Sequence, residues 1–208
     1  MRMVPTVCKM PALHPNLAPL VPREMLISAF ATENDISPNA ALMRKNIVRL
    51  VDKAVFEYSH ARQAILDQMA ESKRPYEELV KGRIIYMFGF TDHMENCVNA
   101  TRRVLGLLEN LRSDSSAPAQ DRIIRRLVDA HSDPLVNIRN TLEHMGDAIN
   151  KGEIGEKQPV FLGLSDDQES VSIGGHNLSF GSLAIILKGL HAECIRLLES
   201  PNRAGGGA

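Results

Sequence analysis

The stretch that decides the fold runs from residue 37 to residue 72 and reads SPNAALMRKNIVRLVDKAVFEYSHARQAILDQMAES. Its apolar residues recur at alternating steps of four and three, which places them on one stripe of an α-helix. The stripe consists of Ile47, Val51, Ala54, Tyr58, Ala61 and Ile65. Ser37 is a favourable N-cap, and Pro38 suits the first helical position because no backbone donor is needed there. The sequence therefore predicts one long helix, buried on one face, that ends near Ser72.

A second long helix is predicted immediately downstream. Pro75, followed by Glu77 and Glu78 in the first turn, is a typical helix start. The apolar stripe then continues from Ile84 to Leu111. Because the connection between the two helices is tight, we expect them to form an antiparallel hairpin.

The segment after this hairpin predicts two further helices. A short one covers residues 120–130, and the pair Asp133-Pro134 repeats the cap-plus-proline signal of a new helix start. This fourth helix should end near Gly152.

The last third of the chain predicts a small β-hairpin and a final helix. Two short apolar runs, residues 160–164 and 170–173, flank the turn sequence SDDQE. Ser179 or Ser182 can then cap the final helix. The buried stripe of that helix is predicted to be Leu183, Ile186, Leu187, Leu190, Cys194 and Leu197 or Leu198. The predicted fold class is therefore all-α, an up-and-down helical bundle with a small β-hairpin before the last helix.

Three regions are predicted from these elements. Residues 1–37 contain five prolines and should form an N-terminal arm that is partly disordered. Residues 38–200 should form the helical domain, and residues 201–208 a flexible tail.

Composition limits the classes of function. The 24 basic and 25 acidic residues nearly cancel, so no overall field draws the protein to nucleic acid or to a membrane surface. The three cysteines, Cys8, Cys97 and Cys194, lack metal-type spacing and fit free thiols of a reducing compartment. No segment has the length and apolarity of a membrane span. We therefore expect a cytoplasmic protein that does not bind membranes.

The stretch IRNTLEHMGDAI, residues 138–149, carries the candidate site. The apolar seam of its helix is predicted to be Leu135, Ile138, Leu142, Met145 and Ile149. At about 100° per residue, His144 lies roughly 140° from the middle of this seam and should face solvent. Asn140 shares the outer side, and Arg139 lies on the flank. A purely structural interpretation remains open, in which Arg139 pairs with Glu143 one turn away.

The motif RNTLEH resembles the signature of the HEPN superfamily, an arginine followed after four to six residues by a histidine. Members of this superfamily are helical bundles, and many are metal-independent ribonucleases of toxin, phage-defence and RNA-processing systems. The resemblance implies that Arg139 grips phosphate, that His144 acts in acid-base or transition-state roles, and that Asn140 is their polar companion. It also implies a homodimer with a shared RNA-cleaving cleft, an antitoxin or regulatory partner, and no metal or cofactor.

Three alternatives to this site and function were also considered from the sequence. Arg126 and His131 have the same spacing, but Leu127 replaces the polar companion and His131 lies on the apolar side, so this pair is interpreted as structural. A catalytically silent scaffold, binding a protein partner or a nucleotide through the same groove, is the alternative function. A di-iron site is disfavoured because only one Glu-x-x-His pair, Glu57 with His60, occurs.

Overall fold

The computed structural model describes residues 4–13, 17–30, 36–80, 82–155 and 159–199. Within them the chain is mostly helical, with a small antiparallel sheet close to its C-terminal helix. The elements are α1 (Val21–Phe30), α2 (Pro38–Glu71), α3 (Tyr76–Leu79), α4 (Met87–Arg112), α5 (Arg122–Asn150), β1 (Gly163–Leu164), β2 (Ser170–Ile173), β3 (His176–Ser179) and α6 (Phe180–Glu199).

Helices α2 and α4 form the predicted antiparallel pair. The start of α2 meets the end of α4, where the Ser37 hydroxyl donates to Asp114 at 2.5 Å. The opposite ends meet where the backbone N–H of Tyr86 donates to the Gln68 side chain at 2.9 Å. Ser37 also caps α2 as predicted, because its hydroxyl accepts the N–H of Ala40. All six residues of the predicted α2 stripe are buried.

The second predicted helix is divided in two, which corrects the expectation of one helix from Pro75 to Leu111. The short helix α3 ends before Gly82, whose φ of 127° is a backbone conformation that favours glycine. Residues 82–86 are irregular, and α4 begins at Met87. Ile84, expected in the buried stripe, is therefore exposed, while its backbone N–H donates to the Glu71 carboxylate at 3.2 Å.

The third and fourth predicted helices are one continuous helix, α5. Asp121 caps it by accepting the N–H groups of Ile123 and Ile124. The signal at Asp133-Pro134 was wrong because Pro134 lies inside the helix. Proline removes the hydrogen bond to the carbonyl of Ala130, but Ala130 lies on the exposed side, where water can replace that bond.

The described residues form a sheet of three strands, one strand more than predicted. β2 pairs with β1 and with β3, both antiparallel. Gly174 and Gly175 form the turn between β2 and β3, and both have positive φ, as a two-residue hairpin turn of this hand requires. Ser179 then caps α6, because its hydroxyl accepts the N–H of Ser182, and the predicted α6 stripe is buried.

The described parts of the N-terminal arm pack against the bundle. Its buried apolar residues are Met10, Leu13, Leu17 and Leu20. The Tyr58 hydroxyl donates to the carbonyl of Pro11 at 3.1 Å. Gln168 has a left-handed backbone, φ 60°, and its side-chain oxygen accepts the N–H groups of Thr6 and Val7. These contacts attach the arm to α2 and to the turn between β1 and β2.

Parts of the predicted arm and the predicted flexible tail, residues 1–3, 14–16, 31–35 and 201–208, lie outside the described residues. In the described part of the chain, no helix combines the length and the apolarity needed to cross a membrane.

Asp52 should be a main attachment point of the arm. Its carboxylate accepts the N–H groups of Leu20 and Val21 at 2.8 to 2.9 Å, at the start of α1. Because hydrogen bonds to a charged group are worth about 1.5 to 3 kcal/mol, Asp52→Ala should lower the free energy of unfolding by roughly that amount. Urea denaturation monitored by circular dichroism measures it.

The matched control is Asp67→Ala on the same helix, since Asp67 accepts only an exposed contact from Gln63. Its effect should stay within about 0.5 kcal/mol. Equal effects of the two substitutions would show that Asp52 does not hold the arm.

Candidate functional site

The candidate motif occupies the C-terminal half of α5, and its apolar seam determines which side chains reach solvent. Leu135, Ile138 and Met145 are buried, and Leu142 is half-buried against the core. Ile149 is 51% exposed. The predicted seam is therefore correct over its first four residues and wrong at Ile149, where α5 extends beyond the core.

Asn140 and His144 are both exposed, as the helical geometry predicts. They stand four residues apart, so they lie above one another on one face of α5. The imidazole of His144 is thus accessible to a substrate without any rearrangement of the core.

Arg139 projects from a different side of α5 and pairs with Glu143 one turn later. Both side chains are about one third to one half exposed. An exposed pair of this spacing contributes only about 0.3 to 0.5 kcal/mol. The guanidinium is therefore held weakly, and a phosphate group can compete with Glu143 for it.

A groove of about 390 Å³ lies between α4 and α5 beside the motif. Its lining residues are Glu95, Asn99, Arg103, Arg139, Leu142 and Glu143. The groove brings Arg139 together with a second guanidinium, that of Arg103. Asn140 and His144 do not line it, because they lie on the adjoining outer face. Of the three predicted site residues, Arg139 therefore lies in the groove, and Asn140 and His144 lie on the surface next to it.

Glu95, Asn99 and Arg103 were not among the predicted site residues. A signal for them was present, because a spacing of four residues places all three on one face of α4. This spacing indicates a polar face on α4, but it does not show which helix lies opposite that face. The pairing of α4 with α5 depends on contacts between residues distant in sequence.

Helix α5 packs closely against α6 near its N-terminal half. Gly189 of α6 is buried against α5, and a Cβ atom there would lie 3.2 Å from the Val128 side chain and 3.3 Å from that of Leu127. The two helices therefore approach closely at this crossing.

Glu95 is the half-buried acid of the groove. Burial raises the pKa of its carboxyl above the usual range, and the charge of Asp92 adds to this effect. The backbone N–H of Leu162 opposes both by donating to the carboxylate. A carboxyl whose pKa is raised can both accept and release a proton closer to neutral pH.

The β2–β3 turn touches the motif directly. A Cβ atom at Gly174 would lie 2.8 Å from the Thr141 side chain, which stands between Arg139 and His144. The three-stranded sheet therefore borders the candidate site, and His176 at the start of β3 is exposed next to this turn.

A separate cavity of about 240 Å³ lies farther along the same two helices and reaches α6. Arg102, Arg112 and Arg125 line it over an apolar floor, together with acidic residues that include Asp129 and Glu193. None of the three predicted site residues belongs to it.

The second arginine–histidine pair differs from the candidate motif. His131 is half-buried, whereas Arg126 and Leu127 are exposed. Neither Arg126 nor His131 lines the groove.

Comparison of this chain with protein-family models, with curated proteins and with solved structures finds no match. The HEPN relationship therefore stays a prediction made from the motif and the helix order.

Replacement of Glu95 should change how stability depends on pH. The pKa of Glu95 is higher in the folded than in the unfolded protein, so protonation of Glu95 favours folding. This stabilisation is fully present below the unfolded pKa and is lost as pH rises through the folded pKa. Glu95→Gln, neutral at every pH, should therefore gain stability relative to wild type as pH rises above about 4, where the glutamate of the unfolded chain ionises.

Thermal unfolding across this pH range measures the difference, and Glu109→Gln, on the exposed side of the same helix, is the control. A constant difference between Glu95→Gln and wild type at all pH values would contradict the role of burial at Glu95.

Proposed function

We infer that this protein is a metal-independent endoribonuclease of toxin or defence type with an HEPN-like helical fold. The observation that supports this best is the exposure of Asn140 and His144 on the outer face of α5, beside a groove that contains Arg139. Surface histidines are common, but one that adjoins a groove with two guanidiniums has the groups that phosphodiester cleavage needs.

The chemistry requires three roles. A base removes the proton of the ribose 2′-hydroxyl, an acid protonates the leaving oxygen, and a cation stabilises the pentacoordinate phosphorane. Histidine exchanges protons near neutral pH, and the forked donors of a guanidinium match phosphate oxygens. In this proposal His144 transfers the proton, Arg139 holds the phosphate, and Asn140 positions the ribose or phosphate by hydrogen bonding.

Arg103 extends this assignment. It lines the same groove as Arg139 from the opposite helix. Two guanidiniums on facing helices can contact successive phosphates of one strand, which would fix the direction of the RNA across α5.

A twofold homodimer belongs to the proposal because one motif supplies one histidine. Two copies of His144 across a dyad provide an acid and a base in one cleft. Ile149, an exposed apolar residue shortly after His144, is available for contact with a second copy.

A catalytically silent scaffold is the second candidate, and the pairing of Arg139 with Glu143 favours it. In that case α5 presents a satisfied polar face that binds a protein partner or a nucleotide through the groove.

The location and partners are also proposals. The buried thiols of Cys97 and Cys194 are unpaired, and burial raises the pKa of Cys97 to about 12, so both suit the reducing cytoplasm. Tyr76 and Val80 are exposed apolar residues at the α2–α4 connection, which favours an antitoxin or regulatory protein as a partner.

Loss of the histidine should separate catalysis from folding. His144→Ala should lower RNA cleavage in EDTA by about 10²- to 10⁴-fold, the usual contribution of general acid-base catalysis. Its thermal stability should remain that of wild type, because His144 is exposed.

Arg139→Ala should weaken both RNA binding and turnover, and Arg139→Lys should rescue poorly because an ammonium lacks the guanidinium fork.

His131→Ala is the matched control, since it removes a histidine from the same helix outside the motif. It should retain wild-type cleavage. The scaffold interpretation holds instead if Arg139→Ala and His144→Ala both cleave at the wild-type rate, or if the confirmed wild-type dimer cleaves no RNA.

Assembly supplies an independent prediction. Light scattering at micromolar concentration should give the mass of a dimer, because the cleft needs both histidines. A fully active monomer would contradict the shared cleft while leaving the assignment of His144 intact.

A further inference from the structure

Two histidines on neighbouring helices form a cluster that the ribonuclease proposal does not use. His60 of α2 and His93 of α4 have ring centroids 5.3 Å apart. Both lie on the α2–α4 pair, and neither belongs to α5 or to its groove.

Each imidazole is oriented through its Nδ1 atom by an oxygen. The Nδ1 of His93 lies 2.7 Å from Oε2 of Glu57, a buried carboxylate. The Nδ1 of His60 lies 2.9 Å from the carbonyl oxygen of Phe56. Since both oxygens are acceptors, each Nδ1 must carry the hydrogen. In the neutral rings the lone pair is therefore on Nε2, away from these contacts.

This arrangement is the usual outer shell of metal-binding histidines, in which a carboxylate or a backbone carbonyl fixes the tautomer and the ring orientation. The Phe56 ring, with its centroid 4.0 Å from that of His60, restricts the second ring further. Surface histidines held in this way keep one nitrogen available and lose little rotamer freedom when they bind.

The separation of the rings also suits a shared metal ion. With zinc–nitrogen bonds of about 2.1 Å and a tetrahedral angle between them, the centroids of two ligating imidazoles stand roughly 5 Å apart. The observed 5.3 Å agrees with this value.

We propose that His60 and His93 form an exchangeable site for a divalent transition metal ion of the zinc type, with Glu57 as the positioning residue of His93. Within the described residues, no group of three or more His, Cys, Asp and Glu side chains is placed to hold a metal. The described residues therefore supply two ligands, and water or an external ligand completes the coordination. Such an ion would link α2 to α4 across the central helix pair.

Zinc titration of the full chain by isothermal calorimetry tests this site. Wild type should bind one Zn²⁺ per chain. His60→Ala and His93→Gln should each weaken binding by at least about tenfold, because loss of a ligand costs no less than loss of an outer-shell partner. His93→Gln keeps an amide donor for Glu57, so the helix pair should stay intact. The control His176→Ala removes an exposed histidine elsewhere and should bind zinc like wild type.

A second readout distinguishes a link between the helices from adventitious binding. Zinc should raise the Tm of wild type and of His176→Ala but not of His60→Ala, since only an ion bound in the folded state stabilises it. His60 is exposed, so this variant should fold normally. The proposal is overturned if wild type binds no zinc, or if His60→Ala binds it as tightly as wild type.

Discussion

Burial of the apolar seam between α2 and α4 is the constraint on which the rest of the structure depends. Tyr58 and Phe90 are fully buried in this seam, and the Tyr58 hydroxyl is satisfied by a carbonyl of the arm. Because the two helices run antiparallel, α4 ends beside the start of α2, and the chain must then cross to α5 and α6. Helix α6 packs against α2 and α5, so α5 sits on the bundle with its outer face free. Asn140 and His144 lie on that free face, and Arg139 lies in the groove between α4 and α5.

Features that depend on local sequence were predictable, and features that depend on distant contacts were not. The cap at Ser37, the α2 stripe and the α6 stripe follow from short-range rules, and the structure agrees with them. The helix start predicted at Pro134 was wrong because a proline is tolerated inside a helix where the carbonyl that loses its hydrogen bond is exposed to water. The third strand was missed since its pairing requires the Gly174-Gly175 turn to be read as a hairpin. At the candidate site, the exposure of His144 was predictable from helical periodicity, but the approach of Arg103 to Arg139 was not.

The same distinction explains why the Glu57–His93 pair was not anticipated. The two residues are 36 positions apart, and only the register between α2 and α4 brings them together. A sequence search for metal ligands within one helix finds Glu57 with His60 and stops there. In the structure Glu57 of α2 instead hydrogen-bonds to His93 of α4, and the ring of His60 lies beside the ring of His93. The contacts between polar side chains at the edge of a helix pair therefore cannot be predicted from the sequence of either helix alone.

The central proposal is that α5 binds RNA through Asn140 and His144 on its outer face and through Arg139 in the adjoining groove. Titration of the protein with a short single-stranded RNA carrying 2′-O-methyl groups, which cannot be cleaved through its 2′-oxygen, tests this claim directly by NMR of the histidine side chains. The His144 resonances and the Asn140 side-chain amide should shift with saturation, and the His60 resonances should not. Unchanged His144 signals at RNA concentrations that saturate binding, or shifts confined to other faces of the protein, would contradict the account.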